Sequence, residues 1–470
     1  MALIGREYEI EELDRYFESG RPELIAVYGR RRVGKTFLIR EYFHGGFAFY
    51  FTGIIEASNA VHLRAFDEAL SEFGGDPGPA SKDWRDAFNK LRNLLSAKPK
   101  GRKVVFIDEM PWIDSPGSDF LRSFDYFWNS WASADPDILF IICGSAASWI
   151  TKKIFRNRGG LHNRVTGRIH LSPFSLGECE KFYRDRGIEI TRYQMLESYM
   201  VFGGIPFYLN LFDKARSFSQ NVDRLCFAND APLRNEYEEL YRSLFRNADR
   251  HMKIVEALST RKGGMTRSEI EKASGITANG HMTEVLSELE QCDFIERYAD
   301  FTKPRNGTLY CLKDPLTLFF LRYMRGNDSK DEYYWTNYAE DGGHRAWSGY
   351  AFEQVCRAHL RQIKQALGIA GVSTRVSAWR SSDSKPSAQI DLVIDRRDGV
   401  VNLCEMKYTK HPYTINLDEA NALERKRGVF MTETGSRSAV HITMVTTYGL
   451  DRKGYFGTAQ SEVTMADLFE

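Results

Sequence analysis

The sequence has almost no excess of one charge, no paired-cysteine motif and no long apolar run. Its 64 Lys and Arg side chains are balanced by 63 Asp and Glu side chains, so any contact with DNA has to come from local patches. The seven cysteines are scattered and never spaced as CxxC, which argues against a zinc site and fits reduced thiols. No run approaches the about 18 apolar residues of a membrane span, and no signal-peptide pattern opens the chain. We expect a cytoplasmic protein without membrane contact.

The strongest motif is GRRRVGKT at Gly29–Thr36, a GxxxxGK[ST] phosphate loop. It lies between an apolar run at Leu24–Tyr28 and a helix-like segment at Thr36–Phe43. Backbone amides of such a loop surround a polyphosphate, its lysine reaches the β and γ phosphates, and its hydroxyl binds Mg²⁺. We therefore expect Lys35 to bind ATP and Thr36 to hold Mg²⁺. The three arginines of the loop have two interpretations, because they can point outward to acids of a lid or to DNA.

A second motif, KVVFIDE at Lys103–Glu109, is typical of a buried strand that ends in two acids, as a Walker B segment does. Asp108 is expected to hold Mg²⁺, and Glu109 to polarise the attacking water as a general base. A third apolar strand at Ile138–Cys143 leads to Ser145, which stands where related ATPases sense the γ-phosphate. The alternative is a buried strand whose acids merely open a polar loop.

Five short segments together resemble the archaeal-type ATPase family, in the STAND branch of the AAA-related P-loop NTPases. They are IGREYEI at 4–10, GRRRVGKT at 29–36, DEMPW at 108–112, CGS at 143–145 and GGIP at 203–206. The resemblance implies an ATPase core at residues 1–170 and a helical lid at 171–245, with the GRE and GxP segments flanking the adenine. Taken alone, GGIP predicts only a helix break.

The residues expected to contact the nucleotide are Gly5, Arg6, Gly29, Arg32, Val33, Gly34, Lys35, Thr36, Phe37, Ser145 and Pro206. The resemblance also implies an arginine shortly before the SPF segment at 172–174. Arg164 or Arg168 would then stabilise charge on the γ-phosphate in the transition state. The alternative is a solvated loop arginine.

Residues 246–325 predict a winged helix-turn-helix. A capping box at Thr266–Glu269 opens its second helix, and its wing carries Lys303 and Arg305. The third helix, Thr277–Gln291, contains no Lys or Arg and has three glutamates, whereas a helix that reads bases needs cations around it. This composition favours a regulatory brace, and it argues against a loader of the origin-recognition type, which would need a DNA-gripping winged helix.

The C-terminal part carries a second set of chemical groups. Gln389–Asp395 and Val400–Lys407 predict consecutive strands joined by a tight turn. Asp391 and Glu405 then share a face, where two carboxylates would bind Mg²⁺ or Mn²⁺. Lys407 would lower the pKa of the attacking water or neutralise charge.

This D-x(n)-ExK pattern is typical of restriction-endonuclease-like PD-(D/E)xK domains, although it arises by chance about once in a chain of this size. The predicted order of helix, two strands, helix and strand is that of the nuclease core. Glu353 on the first helix matches a further metal ligand of that superfamily, and residues 345–470 resemble the domain of unknown function that follows archaeal-type ATPases. A degenerate nuclease fold used for binding and a surface hairpin remain alternatives. Arg425–Arg427 would contact nucleic acid or form a solvated helix face.

These observations predict an α/β multidomain protein. It would contain a P-loop ATPase core, a helical lid, a winged helix-turn-helix, a connector at 326–344 and a restriction-endonuclease-like domain. We expect an ATP-hydrolysing switch that controls a nuclease dependent on Mg²⁺ or Mn²⁺, acting on DNA more than RNA, and compatible with a homo-oligomer. The alternative is a regulatory NTPase whose C-terminal domain binds DNA or a protein partner without cleavage.

Overall fold

A computed structural model describes residues 3–76, 78–145, 147–156, 161, 163–245, 247–302, 307–327, 331–338, 342–381 and 387–470. The chain divides into two compact units, residues 1–173 and residues 174–470. The predicted lid, winged helix-turn-helix and nuclease-like domain all fall essentially within the second unit, and their boundaries remain predictions.

The first unit contains five strands and seven α-helices among its described residues. The strands are β1 (Glu23–Tyr28), β2 (Phe49–Thr52), β3 (Lys103–Asp108), β4 (Ile138–Gly144) and β5 (Gly167–His170). The helices are α1 (Glu7–Phe17), α2 (Lys35–Tyr42), α3 (Asn59–Glu72), α4 (Trp84–Ala97), α5 (Met110–Ile113), α6 (Phe120–Ser130) and α7 (Ala147–Trp149), the last continued by a π-helix at Ile150–Phe155.

All neighbouring strands of this unit run parallel, in the order β2-β3-β4-β1-β5. The strands are apolar over almost their whole length because helices cover a parallel sheet on both faces. On one face the aromatic side chains of Phe49, Phe66, Trp84 and Phe88 pack together, and each is at most 2 % exposed. The parallel register brings the carboxyl ends of β1, β3 and β4 to one edge of the sheet, where the predicted phosphate loop and Walker B acids lie.

The second unit begins with helices. They are α8 (Leu176–Asp185), α9 (Arg192–Phe202), α10 (Pro206–Leu209), α11 (Phe218–Val222), α12 (Glu236–Leu244), α13 (Ala248–Ser259), α14 (Arg267–Ser274), α15 (Gly280–Gln291), α16 (Pro315–Phe319), α17 (Tyr334–Tyr338), α18 (Gly342–Ala358), α19 (Leu360–Ala366) and α20 (Leu417–Thr434). Its strands are β6 (Ile295–Asp300), β7 (Thr308–Leu312), β8 (Thr374–Arg380), β9 (Gln389–Arg396), β10 (Val400–Lys407), β11 (Ala439–Thr446) and β12 (Ser461–Thr464).

All seven described strands of the second unit form one mixed sheet, in the order β12-β11-β10-β9-β8-β6-β7. Strands β8, β9 and β10 form an antiparallel meander, and α20 then returns the chain so that β11 lies parallel to β10. The hairpin β6-β7 joins the same sheet where β6 pairs with β8 through Ala299 and Asp300. The predicted wing hairpin and the predicted nuclease-like strands therefore share one sheet, which local sequence patterns did not indicate.

Several local signals hold. Thr266 and Glu269 form the predicted capping box of α14, and Gly275 ends that helix in the left-handed conformation. The predicted connector was not expected to contribute to a core. Trp335 within it is nevertheless 3 % exposed and packs against Phe319 in an aromatic cluster. The residues next to Trp335 in the sequence are polar, so the local pattern did not predict that it is buried. Lys303 and Arg305 of the predicted wing lie outside the described residues. No described helix combines the length and apolar character needed to cross a membrane.

Candidate functional site

Two glycines set the shape of the phosphate loop. Gly29 has a φ of +147°, and a Cβ at this position would lie 2.3 Å from the carbonyl oxygen of Leu171. Gly34 has a φ of +90° and caps the amino end of α2. Side chains are disfavoured at both positions, so the loop can keep its tight curvature only with glycine there.

Lys35 is folded over the loop that precedes it. Its Nζ atom donates to the carbonyl oxygens of Gly29 at 3.0 Å and Arg30 at 2.9 Å, and the residue is 5 % exposed. The ammonium group is thereby held beside backbone amides at the start of α2, an arrangement suited to phosphate oxygens.

A hydroxyl and a carboxylate meet at the expected magnesium position. The Thr36 hydroxyl donates to Asp108 Oδ2 at 2.6 Å, and the backbone N–H of Glu109 donates to Asp108 Oδ1 at 2.9 Å. Burial raises the pKa of Asp108, and the Glu109 carboxylate raises it further against the hydrogen bond from Thr36. Oxygen donors of this kind are the ligands that Mg²⁺ prefers, so Thr36 and Asp108 fit the implied ion.

Glu109 is held by the next strand of the sheet. Both the backbone N–H and the hydroxyl of Ser145 donate to Glu109 Oε2, at 3.1 Å and 2.9 Å. Glu109 has a φ of +45°. A positive φ is uncommon for residues other than glycine and is often found at functional positions. Ser145 therefore orients the proposed general base in this structure, a role beyond the predicted contact with the γ-phosphate.

The amino-terminal GRE segment contacts the phosphate loop directly. Arg6 is 5 % exposed and donates to the carbonyl oxygens of Ser172 at 2.7 Å and Val33 at 3.2 Å. Gly5 and Arg6 both have a φ of +66°, so the chain turns sharply before α1.

The loop arginines differ in their surroundings. Arg30 is 2 % exposed, which contradicts the expectation that all three loop arginines point outward. Arg32 has a φ of +74° and Val33 is buried, while Phe37 on the first turn of α2 is 39 % exposed. Phe37 is thus available for contact.

The arginine predicted to assist hydrolysis is not brought to the loop. Thr166 hydrogen-bonds to Leu24 at the amino end of β1, whereas the phosphate loop follows the carboxyl end of that strand. Arg164 stands before Thr166 and is exposed. Arg168 on β5 places its guanidinium 4.3 Å from the ring centroid of Phe155. Sequence spacing could not reveal which end of β1 these arginines approach.

Pro206 lies in the second unit, where it opens α10. A Cβ at Gly204 would lie 1.9 Å from the carbonyl oxygen of Phe174, and the Phe174 N–H donates to the Gly204 carbonyl at 2.6 Å. The glycine pair therefore permits a close backbone contact, and the helix break expected of GGIP is present. Contact between Pro206 and a nucleotide remains a prediction.

In the second unit, strand register brings the predicted acids together. The antiparallel ladder of β9 and β10 runs from Asp395 opposite Val401 to Leu392 opposite Cys404. The next residue on each strand is Asp391 and Glu405, so the two carboxylates project from one face of the hairpin.

Two lysines already neutralise Glu405. Lys426 Nζ lies 2.7 Å from Glu405 Oε2, and Lys407 Nζ lies 3.4 Å from Glu405 Oε1 and 2.9 Å from Glu419 Oε1. Burial lowers the pKa of Lys407, but Glu405 and Glu419 outweigh it and raise the pKa overall. Lys407 therefore stays protonated and can neutralise charge, but it cannot act as a base. Lys426 belongs to the cluster at 425–427 that was expected to contact nucleic acid or form a solvated helix face, but here it pairs with Glu405. Sequence reasoning missed Glu419, because no local pattern indicates its contact with β10.

Glu353 is a partly buried acid on α18, the helix that packs against β10. Burial and the neighbouring Asp391 raise the pKa of Glu353 from 4.5 to about 7, and Oε2 has no hydrogen-bond partner among the described residues. One turn later, Arg357 is 6 % exposed and lies in the electrostatic reach of Asp391. The negative charges of Asp391 and Glu405 thus act on Glu353.

The expected metal set is nevertheless not assembled. Within the described ranges, no group of three or more His, Cys, Asp or Glu side chains is arranged to hold a metal ion. Glu405 is paired with lysines, and Asp391 accepts a hydrogen bond from the Gln389 amide. Binding of one metal ion by Glu353, Asp391 and Glu405 therefore stays a prediction, and a carboxyl oxygen of Glu353 lacks a partner among the described residues.

A parallel sheet that carries a phosphate loop and a Walker B aspartate at one edge defines a P-loop NTPase of the ATPase type. Residues 3–212 match a family model described as an ATPase domain predominantly from Archaea.

Two relatives come from Methanocaldococcus jannaschii. The chain is 26 % identical to an uncharacterized protein over 385 residues, which cover 80 % of this chain and 81 % of the relative. It is 46 % identical over 40 residues to an uncharacterized ATP-binding protein, covering 8 % of this chain and 68 % of the relative. A Walker-type ATPase of Pyrococcus abyssi has a similar structure, with a TM-score of 0.50 and 19 % identity over 68 % of this chain and 96 % of that chain. That likeness concerns the fold alone.

The geometry of Glu109 predicts a variant that separates binding from hydrolysis. Glu109→Gln keeps a side chain of the same shape but cannot accept a proton, so we expect ATP binding to persist while turnover falls by about 100-fold or more. Ser145→Ala removes one donor to Glu109 and should slow turnover by about tenfold. Exposed Glu68→Gln serves as the control for ATP binding and phosphate-release assays. Wild-type turnover by Glu109→Gln would remove it as the base.

The raised pKa of Glu353 predicts a pH-dependent stability. Glu353 keeps its proton in the folded state where the unfolded chain has lost it, so its contribution to stability is present below pH 4.5 and is lost as the pH rises through about 7. Glu353→Gln cannot ionise, and we expect it to raise the unfolding temperature more at about pH 8 than at about pH 5. Thermal unfolding in EDTA, with exposed Glu189→Gln as control, measures this. An equal effect at both pH values would contradict the partly buried, protonated state.

Proposed function

We propose that the protein is an ATP-hydrolysing switch in the cytoplasm that controls a C-terminal nuclease-like domain acting on nucleic acid, DNA more than RNA. The observation that carries the nuclease part is the register of β9 and β10, whose last pair is Leu392 and Cys404, so that Asp391 and Glu405 each follow one residue beyond it. Glu353 and Lys407 lie close enough to influence the same charges. None of these four charged residues has a role in the ATPase site.

The order of elements supports the same proposal. Helices α18 and α19 precede the antiparallel meander β8-β9-β10, and α20 leads to β11 parallel to β10. The predicted core had two strands between its helices, and the structure adds a third, β8, before them; the rest of the order is the one expected of a restriction-endonuclease-like core. The fold alone does not specify an activity, so the acids have to supply that argument.

In the ATPase half, each residue has a distinct task. Lys35 would leave its loop carbonyls to bind the β and γ phosphates, and Glu109 would orient and polarise the attacking water while Ser145 fixes its carboxylate. Thr36 and Asp108 would hold Mg²⁺, which supplies charge neutralisation at the phosphates. Arg164 stands beside Thr166, which hydrogen-bonds to Leu24 at the end of β1 opposite the phosphate loop. An arginine from a second copy of the chain would then assist hydrolysis, and we therefore propose a homo-oligomer.

In the C-terminal half, Asp391, Glu405 and Glu353 would hold Mg²⁺ or Mn²⁺, which supplies charge stabilisation at a phosphodiester. Glu405 would first have to exchange its pairing with Lys426. Lys407 stays protonated and would neutralise charge that develops on the phosphate. The resting contacts therefore describe a site that needs rearrangement before cleavage.

The contacts of the predicted winged helix-turn-helix favour a regulatory, bracing role over recognition of DNA bases. Two glutamates of its third helix serve internal contacts, since Glu288 lies 2.9 Å from His251 and Glu290 lies 2.8 Å from Arg297. Arg380 on β8 donates to the carbonyl oxygens of Gly263 and Gly264. The backbone of the loop after α13 thus contacts β8, which pairs with β9, the strand that carries Asp391.

A regulatory NTPase that binds DNA or a protein partner without cleavage is the second candidate. The lysines on Glu405 favour it, together with Gln389, which stands where relatives of the nuclease type often have an acid. An amide can still accept a hydrogen bond from water but contributes no charge.

Cleavage by matched aspartate variants separates the two candidates. With Mg²⁺ or Mn²⁺ and ATP, we expect wild-type protein to cut nucleic acid and Asp391→Ala to lose cleavage while it still binds ATP. Asp395→Ala is the control, because Asp395 lies on the same strand but pairs with Arg375 at 3.1 Å. Lys35→Ala should remove the effect of ATP. Equal cleavage by wild type and Asp391→Ala would contradict the nuclease site, and cleavage indifferent to Lys35→Ala would contradict control by ATP.

A further inference from the structure

A row of aromatic rings leads from the acidic cluster to the surface. Phe352, next to Glu353 on α18, lies 5.9 Å from the ring of Tyr408 between centroids. Tyr193 stacks with Tyr408 at 5.6 Å and 20°, and with Tyr448 at 5.8 Å and 15°. All four residues belong to the second unit, so this row, Phe352-Tyr408-Tyr193-Tyr448, is a feature of one compact body.

Polar contacts fix the row in place. The Tyr408 hydroxyl donates to Glu197 Oε1 at 3.1 Å, and burial raises the pKa of Tyr408, so the hydroxyl keeps its proton. The backbone N–H of Thr409 donates to the Thr447 hydroxyl at 3.1 Å and ties the segments after β10 and β11 together. Tyr408 directly follows Lys407, so the rings are held at the end of the strand that carries the candidate site.

The two ends of the row differ. Phe352 is fully buried, whereas Tyr448 is 42 % exposed. The segments that carry the outer rings also contain exposed cations, Lys410 after Tyr408 and Lys453 after Tyr448. The three tyrosine rings are near-parallel, and the outermost one reaches solvent. Proteins bind the bases of single strands by stacking them on such rings, with cations nearby for the backbone.

We propose that Tyr448 is the outer end of a stacking platform that binds an unpaired base of single-stranded nucleic acid. The inference rests on the proposed action of this unit on nucleic acid and extends it by naming the substrate class. Bases of a duplex are stacked on each other and cannot offer a face to Tyr448, whereas a single strand can. The stacking would be indifferent to base identity, because every base has a π face.

The test measures binding without cleavage. Full-length protein in EDTA is titrated against oligothymidylate and against a duplex of equal length, by fluorescence anisotropy at one salt concentration. Tyr448→Ala should weaken binding of the single strand by about tenfold, while Tyr448→Phe, which keeps the ring, should bind like wild type. Tyr455→Ala is the matched control, since Tyr455 lies in the same loop and is 48 % exposed.

The outcomes are distinct. Loss of single-strand binding in Tyr448→Ala alone supports the platform, and equal binding by Tyr448→Ala and wild type overturns it. A similar loss in Tyr448→Phe also overturns it, because stacking would not be the cause. If wild type binds the single strand yet never cleaves with metal and ATP, the proposed nuclease fails while the platform stands. If wild type binds neither oligonucleotide, both proposals fail.

Discussion

Strand register is the constraint on which both candidate sites depend. In the first unit the parallel ladder sets Tyr28 beside Gly144 and keeps Asp108 near the same edge, so Thr36 can reach Asp108 at 2.6 Å. In the second unit the antiparallel ladder ends at Leu392 and Cys404, and Asp391 and Glu405 are the next residues on the two strands. A slip of one residue in either ladder would send these side chains to the other face of the sheet. The functional groups would then no longer lie together, although the same strands would still pair.

Chemistry carried by short motifs at strand ends was predictable. The phosphate loop and the Walker B acids follow apolar strands, and parallel strands bring such ends to one edge. Contacts between residues distant in sequence were not predictable: Lys426 pairs with Glu405 from a helix, and β6 joins β8 although the two strands lie far apart in the chain. Arg164 shows the same limit, because its position depends on which end of β1 its segment approaches. Sequence spacing contains no such information.

Both sites provide polar partners for their carboxylates, of which Asp108 is buried and Glu405 partly buried. Asp108 receives a hydroxyl and a backbone N–H, whereas Glu405 receives two ammonium groups. A carboxylate left alone in such surroundings would be costly, so each acid is stabilised before any ion binds. Occupancy by a metal then requires exchange of partners, which is modest for Asp108 and larger for Glu405. Under the proposed function, the exchange of partners at Glu405 is the step that nucleotide binding would control.

The central claim is that nucleotide at the phosphate loop changes the state of the acidic site in the second unit. Hydrogen–deuterium exchange with Mg²⁺ and a non-hydrolysable ATP analogue measures this most directly. The account predicts slower exchange at residues 29–36 together with altered exchange in β9, β10 and α20. A change confined to residues 1–173 would contradict it, because ATP would then bind without reaching Asp391 and Glu405.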